Sequence, residues 1–117
     1  MRNLFLVISL FILSGFVYLA ALEKGKASYY SSKFEGKKTS SGEIFRQDSL
    51  TAAHKTLPFG TRIKVTNLKN DSTVILRVND RLSKNSSHCV DVTLRAAKKL
   101  NFVRDGITSV TLEKINP

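Results

Sequence analysis

Four short segments of this 117-residue chain carry polar residues that no strand or helix pattern requires. They are Gly42-Glu43, Asp48 with Thr51-Ala52-Ala53-His54, the run Arg77-Val78-Asn79-Asp80-Arg81, and Asp91. Asp80 follows an alternating apolar run and sits among an amide and two guanidinium groups. A carboxyl so placed is held in a defined pose, and a posed carboxyl is what general acid catalysis needs. The plain alternative is a polar turn closed by local hydrogen bonds. Glu43 lies in a stretch of Ser, Gly and Lys, where an acid is ordinarily solvated. His54 ends a short apolar stretch, where a satisfied structural histidine competes with a catalytic one.

Other chemistries fare worse. His54 and His88 are the only histidines, 34 positions apart, with no Cys/His/Asp set at zinc spacing, so no metal is expected. No other cofactor is expected. Cys89 is the single cysteine, which leaves no intramolecular disulfide. His88 precedes it directly, but neighbouring side chains of an extended segment point to opposite faces, so a buried, inert thiol is expected. Tyr29 and Tyr30 stand near Lys33, Lys37 and Lys38 and meet the pattern of a nucleic-acid platform only loosely. Aromatic rings also stack on sugars, and the alternation of a strand lets one of the two line a glycan groove while the other packs inward.

The elements that must position these residues are short. Lys26 to Tyr30 reads as a first strand, and Ser31 to Gly42 as a long loop. Strand character returns from Leu50 to Ala53, before a turn punctuated by Pro58 and Gly60. Ile63 and Val65 share one face of a further strand; Val74, Leu76 and Val78 share one face of the next, with Lys69-Asn70-Asp71 as the hairpin turn between them. Val90 and Val92 mark another strand. Thr93 is placed to cap a helix running through Leu94, Ala97 and Leu100, with Lys98 and Lys99 outward near its C-terminal end. A last strand covers Ile107 to Lys114. About six strands and one helix predict a mainly β protein built as a closed barrel with a helical insert.

Ahead of this domain, Leu4 to Leu22 carry no charge, with Arg2 before them and Glu23-Lys24-Gly25-Lys26 after. The pattern is that of a secretory leader, although the stretch approaches the roughly 20 residues that span a bilayer. Residues 1–22 are therefore read as a signal peptide or signal anchor, and 23–117 as one domain. Ala20-Ala21 supply small residues for cleavage, and no cysteine before position 89 is available for lipid attachment. Membrane contact is expected only through residues 4–22, where these are retained. With 18 Lys and Arg against 9 Asp and Glu beyond Arg2, the domain carries +9. That charge favours polyanions, and export favours a wall or membrane surface over nucleic acid.

Read in order, Ala27-Ser28-Tyr29-Tyr30, Gly36 through Glu43, Thr51 through Thr61, Arg77 through Arg81 and Asp91 through Ala97 resemble the rare lipoprotein A family of septal ring lytic transglycosylases. The match covers nearly all of residues 25 to 115. The resemblance implies a six-stranded double-psi β-barrel with one short helix, related to expansins. It implies non-hydrolytic cleavage between N-acetylmuramic acid and N-acetylglucosamine in peptidoglycan strands poor in stem peptides, leaving a 1,6-anhydro end. Carried over by motif, Asp80 is the leading catalytic acid, with Glu43 and His54 beside it. Tyr29, Tyr30, Asp48, Thr51, Arg77, Asn79 and Arg81 are the implied substrate-binding set.

The protein is expected to act as an exported monomer on glycan strands; a non-catalytic, expansin-like wall-binding module is the alternative. Two features depart from the family pattern. Leu82-Ser83 stand where Gly-Pro is usual, and the separate C-terminal peptidoglycan-binding domain that family members often carry is not expected here. Because an acid must hold its proton near neutral pH, Arg77 and Arg81 are expected to turn toward other acids, such as Asp91 or Asp48.

Overall fold

Alternation of apolar and polar residues turns six segments into strands with one face committed to a core. The computed structural model describes residues 22–115. Its strands are β1 (Leu22–Tyr29), β2 (Thr51–His54), β3 (Arg62–Asn67), β4 (Thr73–Arg81), β5 (Val90–Val92) and β6 (Thr108–Ile115). One short helix, α1 (Leu94–Lys99), follows β5, and a single 3-10 turn at Ser32–Phe34 interrupts the long loop after β1. The strands close into a barrel in the order β1-β5-β2-β4-β3-β6, with β6 returning to β1. The expected mainly β barrel with one short helix is therefore what the chain forms. β1 takes in Leu22, which the sequence reading gave to the leader; the rest of that segment lies outside the described residues.

Ile63 and Val65 of β3, Val74, Leu76 and Val78 of β4, and Val110 and Leu112 of β6 fill the interior with Ala27, Ala52, Val90 and Val92. Helix α1 plugs one side of this core through Ala96 and Ala97, with its cap residue Leu100 and the following Phe102. Thr93 caps it as expected, its Oγ1 accepting from Ala96 N at 3.3 Å. Leu94, expected on the buried face, is only half covered, because Ala96 and Ala97 take the inner stripe of so short a helix. Ile107 likewise lies before β6 and is exposed, so the strand's inward positions begin with Thr108. Cys89 is buried as expected, and burial pushes its thiol up to about 11.

Two pairings matter most for the outer surface. β1 runs parallel to β5, and β2 runs parallel to β4, while β2 and β5 are antiparallel. In the β2/β4 pair the register jumps from Ala52 opposite Val78 to Ala53 opposite Asp80, so Asn79 is the extra residue of a bulge. Bulges re-aim side chains, and this one brings both Asn79 and Asp80 to the outside of the barrel beyond the inward Val78.

Candidate active site on the outer face of the barrel

Asp80 is the most heavily tied carboxylate among the described residues. Its Oδ1 accepts from the backbone N–H of Ser40 at 2.8 Å and from its neighbour Arg81 at 2.9 Å, and its Oδ2 accepts from Tyr30 Oη at 2.5 Å. Desolvation pushes the Asp80 carboxyl up, but the hydrogen bonds of Tyr30, Ser40 and Arg81 together hold it below its ordinary value. Burial first, and then the bond to Asp80 and the charges of Asp80 and Asp91, push the Tyr30 phenol strongly upward, so it stays a donor. The Tyr30 ring stacks on Phe45 with centroids 4.2 Å apart and meets the edge of Phe34. Gln47 Nε2 donates to its carbonyl at 3.0 Å.

Arg77 and Arg81 do turn away from Asp80, though not toward Asp91 or Asp48. Arg77 forms a bidentate pair with Glu43, one arm at 2.8 Å, and this guanidinium together with Asn79 holds the Glu43 carboxyl below its usual value. Arg81 Nη1 donates to the His54 carbonyl at 2.9 Å while its guanidinium lies 4.3 Å from the centre of the exposed Phe59 ring. Next to Asp80, buried Asn79 has an Oδ1 with no partner, and buried Thr51 has an unpartnered Oγ1. Thr51 pairs in register with Arg77 and so shares the outer face.

The remaining candidates are placed elsewhere. His54 is buried, with Nδ1 accepting from the N–H groups of Thr56 (3.1 Å) and Leu57 (3.0 Å). That assignment leaves the proton on Nε2, which donates to Glu23 Oε1 at 2.8 Å. His54 is thus tied to β1 and to the turn after β2, with no bond to Asp80. Tyr29 packs inward against Phe102, its hydroxyl donating to the Val103 carbonyl at 2.8 Å, so Tyr30 alone of the pair faces outward. Asp48 is exposed and only its backbone carbonyl is engaged, by Arg95.

Sequence reasoning gave Ser28 and His88 no part in the site and, beyond singling out Asp91 as one of four polar segments, used it only as a possible arginine partner. Ser28 Oγ donates to Asp91 Oδ1 and lies 3.0 Å from His88 Nδ1, which is itself 3.4 Å from Asp91. Nothing local in the sequence shows this, since a parallel pairing of β1 and β5 across 63 positions joins the residues. Among the described residues no group of acids, histidines and cysteine is arranged to hold a metal.

The model of one protein family, described as lytic transglycolase, matches residues 22–112, from the start of β1 into β6, and so takes in every site residue above. This chain belongs to the lytic transglycolase family. Its barrel is an RlpA-like double-psi β-barrel. The "Endolytic peptidoglycan transglycosylase RlpA" of Neisseria meningitidis serogroup A is 46% identical over 95 residues, covering 81% of this chain and 40% of the relative. The protein of the same description from Campylobacter jejuni is 47% identical over 91 residues, covering 78% and 33%. The chain thus spans a third to two fifths of the length of these relatives. Among solved structures, a Clavibacter michiganensis expansin superimposes with a TM-score of 0.65 at 19% identity, over 81% of this chain and 50% of that one. At that identity the likeness is one of fold.

Proposed function

We propose that this domain is an exported peptidoglycan lytic transglycosylase, cleaving the bond between N-acetylmuramic acid and N-acetylglucosamine with formation of a 1,6-anhydro end. The observation that carries the reading is Asp80, posed by three donors on the outer face of a barrel whose relatives are named for this reaction. The chemistry moves one proton to the leaving glycosidic oxygen and takes one from the sugar's own C6 hydroxyl as its oxygen closes on C1. No activated water is required, so the hydrolase spacing of two carboxylates around a water is not demanded. Asp80, held ionised, is suited to receiving the C6 proton. Tyr30, Thr51, Asn79, Arg77 and Arg81 surround it as the glycan-binding set, and Glu43 acts with Arg77 as one unit.

The favoured substrate is glycan stripped of stem peptides. Each removed peptide frees a lactyl carboxylate on N-acetylmuramic acid, and the +9 domain attracts that negative strand. Such a substrate requires the domain to lie outside the cytoplasmic membrane, released or tethered through residues 4–22. Among the described residues no helix is long and apolar enough to cross a membrane. An intact Met1 in the membrane fraction, read by mass analysis, would decide for the tether.

Purified denuded glycan, digested and analysed by mass spectrometry, tests the reading. Wild-type protein is expected to release 1,6-anhydro sugars, and Asp80→Asn to lower that release at least about 100-fold with the fold retained. A non-catalytic wall-binding module is the competing reading, favoured by the low proton affinity of Asp80. It predicts pelleting with wall material and no anhydro product from either protein.

A further inference from the structure

The proton bound for the leaving oxygen needs a donor that Asp80 is badly placed to be. Its Oδ1 is fixed by two backbone N–H groups, which can donate but never accept. Across the barrel wall, the registers align four residues in one row. Ser28 of β1 stands opposite Asp91 of β5, Asp91 opposite Ala53 of β2, and Ala53 opposite Asp80 of β4. Their inward neighbours Ala27, Val92, Ala52 and Val78 all belong to the core, so the row lies on the outer face. Ala53 is buried yet outside the core cluster, so groups on the outer face close over its methyl.

Asp91 and Asp80 are therefore two strand spacings apart, about 9–10 Å between Cα atoms, with the smallest chiral side chain between them. That spacing is comparable to the about 5–9.5 Å over which paired carboxyls flank a scissile glycosidic bond. The Tyr30 phenol donates to Asp80 Oδ2 at 2.5 Å and is also pushed up by the charge of Asp91, so Asp91 lies within electrostatic reach of that pair. On the same outer face stand the unpartnered, buried Thr51 Oγ1 and Asn79 Oδ1, polar atoms available to a ligand.

Asp91 differs from Asp80 in what holds it. Its hydrogen-bond partner is the hydroxyl of Ser28, and His88 Nδ1 lies 3.0 Å from that hydroxyl and 3.4 Å from the carboxyl itself. A hydroxyl donates to a carboxylate and accepts from a carboxylic acid, so the contact survives either protonation state.

We propose that Asp91 is a second catalytic carboxyl of this groove, giving its proton to the leaving glycosidic oxygen while Asp80 takes the proton of the C6 hydroxyl. Ser28 and His88 are its positioning residues. In the step, the C1–O4 bond breaks and the C1–O6 bond forms. The Asp91 proton ends on the new 4-hydroxyl of N-acetylglucosamine and the C6 hydroxyl proton on Asp80. Exchange with water then returns each carboxyl to its starting state, and no redox partner is consumed.

The inference rests on the transglycosylase reading, and the test separates the two. The full chain, as wild type and as Asp91→Asn, Asp80→Asn, Ser28→Ala and Ser28→Thr, is given purified denuded glycan. Anhydro product is counted by mass spectrometry, binding by sedimentation and folding by thermal melt. Asp91→Asn is expected to lose at least about 100-fold in product release while still pelleting with glycan. Ser28→Ala is expected to lower kcat about 10- to 100-fold at little changed KM, with Ser28→Thr restoring most of it.

Release by a folded Asp91→Asn within about threefold of wild type, with Asp80→Asn inactive, overturns the second carboxyl and leaves the transglycosylase reading standing. A wild type that binds glycan and releases no anhydro product overturns that reading, and this inference with it. Should Asp91→Asn fail to fold, Ser28→Ala decides: an unchanged kcat overturns the proposal.

Discussion

Tyr30 and Asp80 share the shortest carboxylate contact of the candidate site that involves a phenol, 2.5 Å between Oη and Oδ2. The bond works in both directions: it helps hold the carboxyl low and the phenol high. Tyr30→Phe removes that donor and leaves the two backbone N–H groups, so the Asp80 pKa should rise. A carboxyl-carbon NMR titration measures it directly, and an unchanged titration would show that Ser40 and Arg81 suffice. The sign of the linked stability follows. A depressed carboxyl contributes stability above its unfolded pKa, about 3.9, and that contribution disappears as pH falls through the folded value. The Phe variant should lose less stability on acidification than wild type. The sequence made Asp80 conspicuous through its arginine neighbours, yet the partners of those arginines were not legible there. Arg77 chose Glu43, 34 positions away, because the loop after β1 folds back over β4.

At the level of elements, the antiparallel β3/β4 hairpin was legible because its alternation is local: Ile63 and Val65 face Leu76 and Val74 in register. The helix cap at Thr93 was legible for the same reason. The parallel pairs β1/β5 and β2/β4 were not, since nothing in a short apolar run says which distant run lies beside it. The bulge at Asn79 was also hidden, although it sets which way Asp80 faces. Gly25 shows how tightly β1 lies against the segment leading into β5. A Cβ there would sit 2.8 Å from Cys89 Sγ and 2.9 Å from its Cβ. Gly25→Ala should destabilise the barrel by about 1–3 kcal/mol in a thermal or denaturant melt. Adding Cys89→Ala should recover only part, because the Cys89 Cβ remains in the way; full recovery would put the whole clash on sulfur.

For the molecule as a whole, charge sets the range at which it meets a substrate. A +9 domain attracts polyanions over distances near the Debye length, about 10 Å at 0.1 M salt, and the strands proposed as substrate bear free lactyl carboxylates. Raising salt from about 0.05 to 0.5 M should weaken sedimentation with denuded glycan several-fold and raise KM, with kcat little altered. A kcat that falls in parallel would mean the charge acts within the site rather than on approach. The barrel's seam adds a matter of timing. Its first strand is flanked by β5 and by the last strand, β6, so the barrel that carries the row from Ser28 to Asp80 closes only once residues 108–115 are in place. A chain that emerges N-terminus first thus carries every reactive side chain before it holds the strand that closes the wall bearing them.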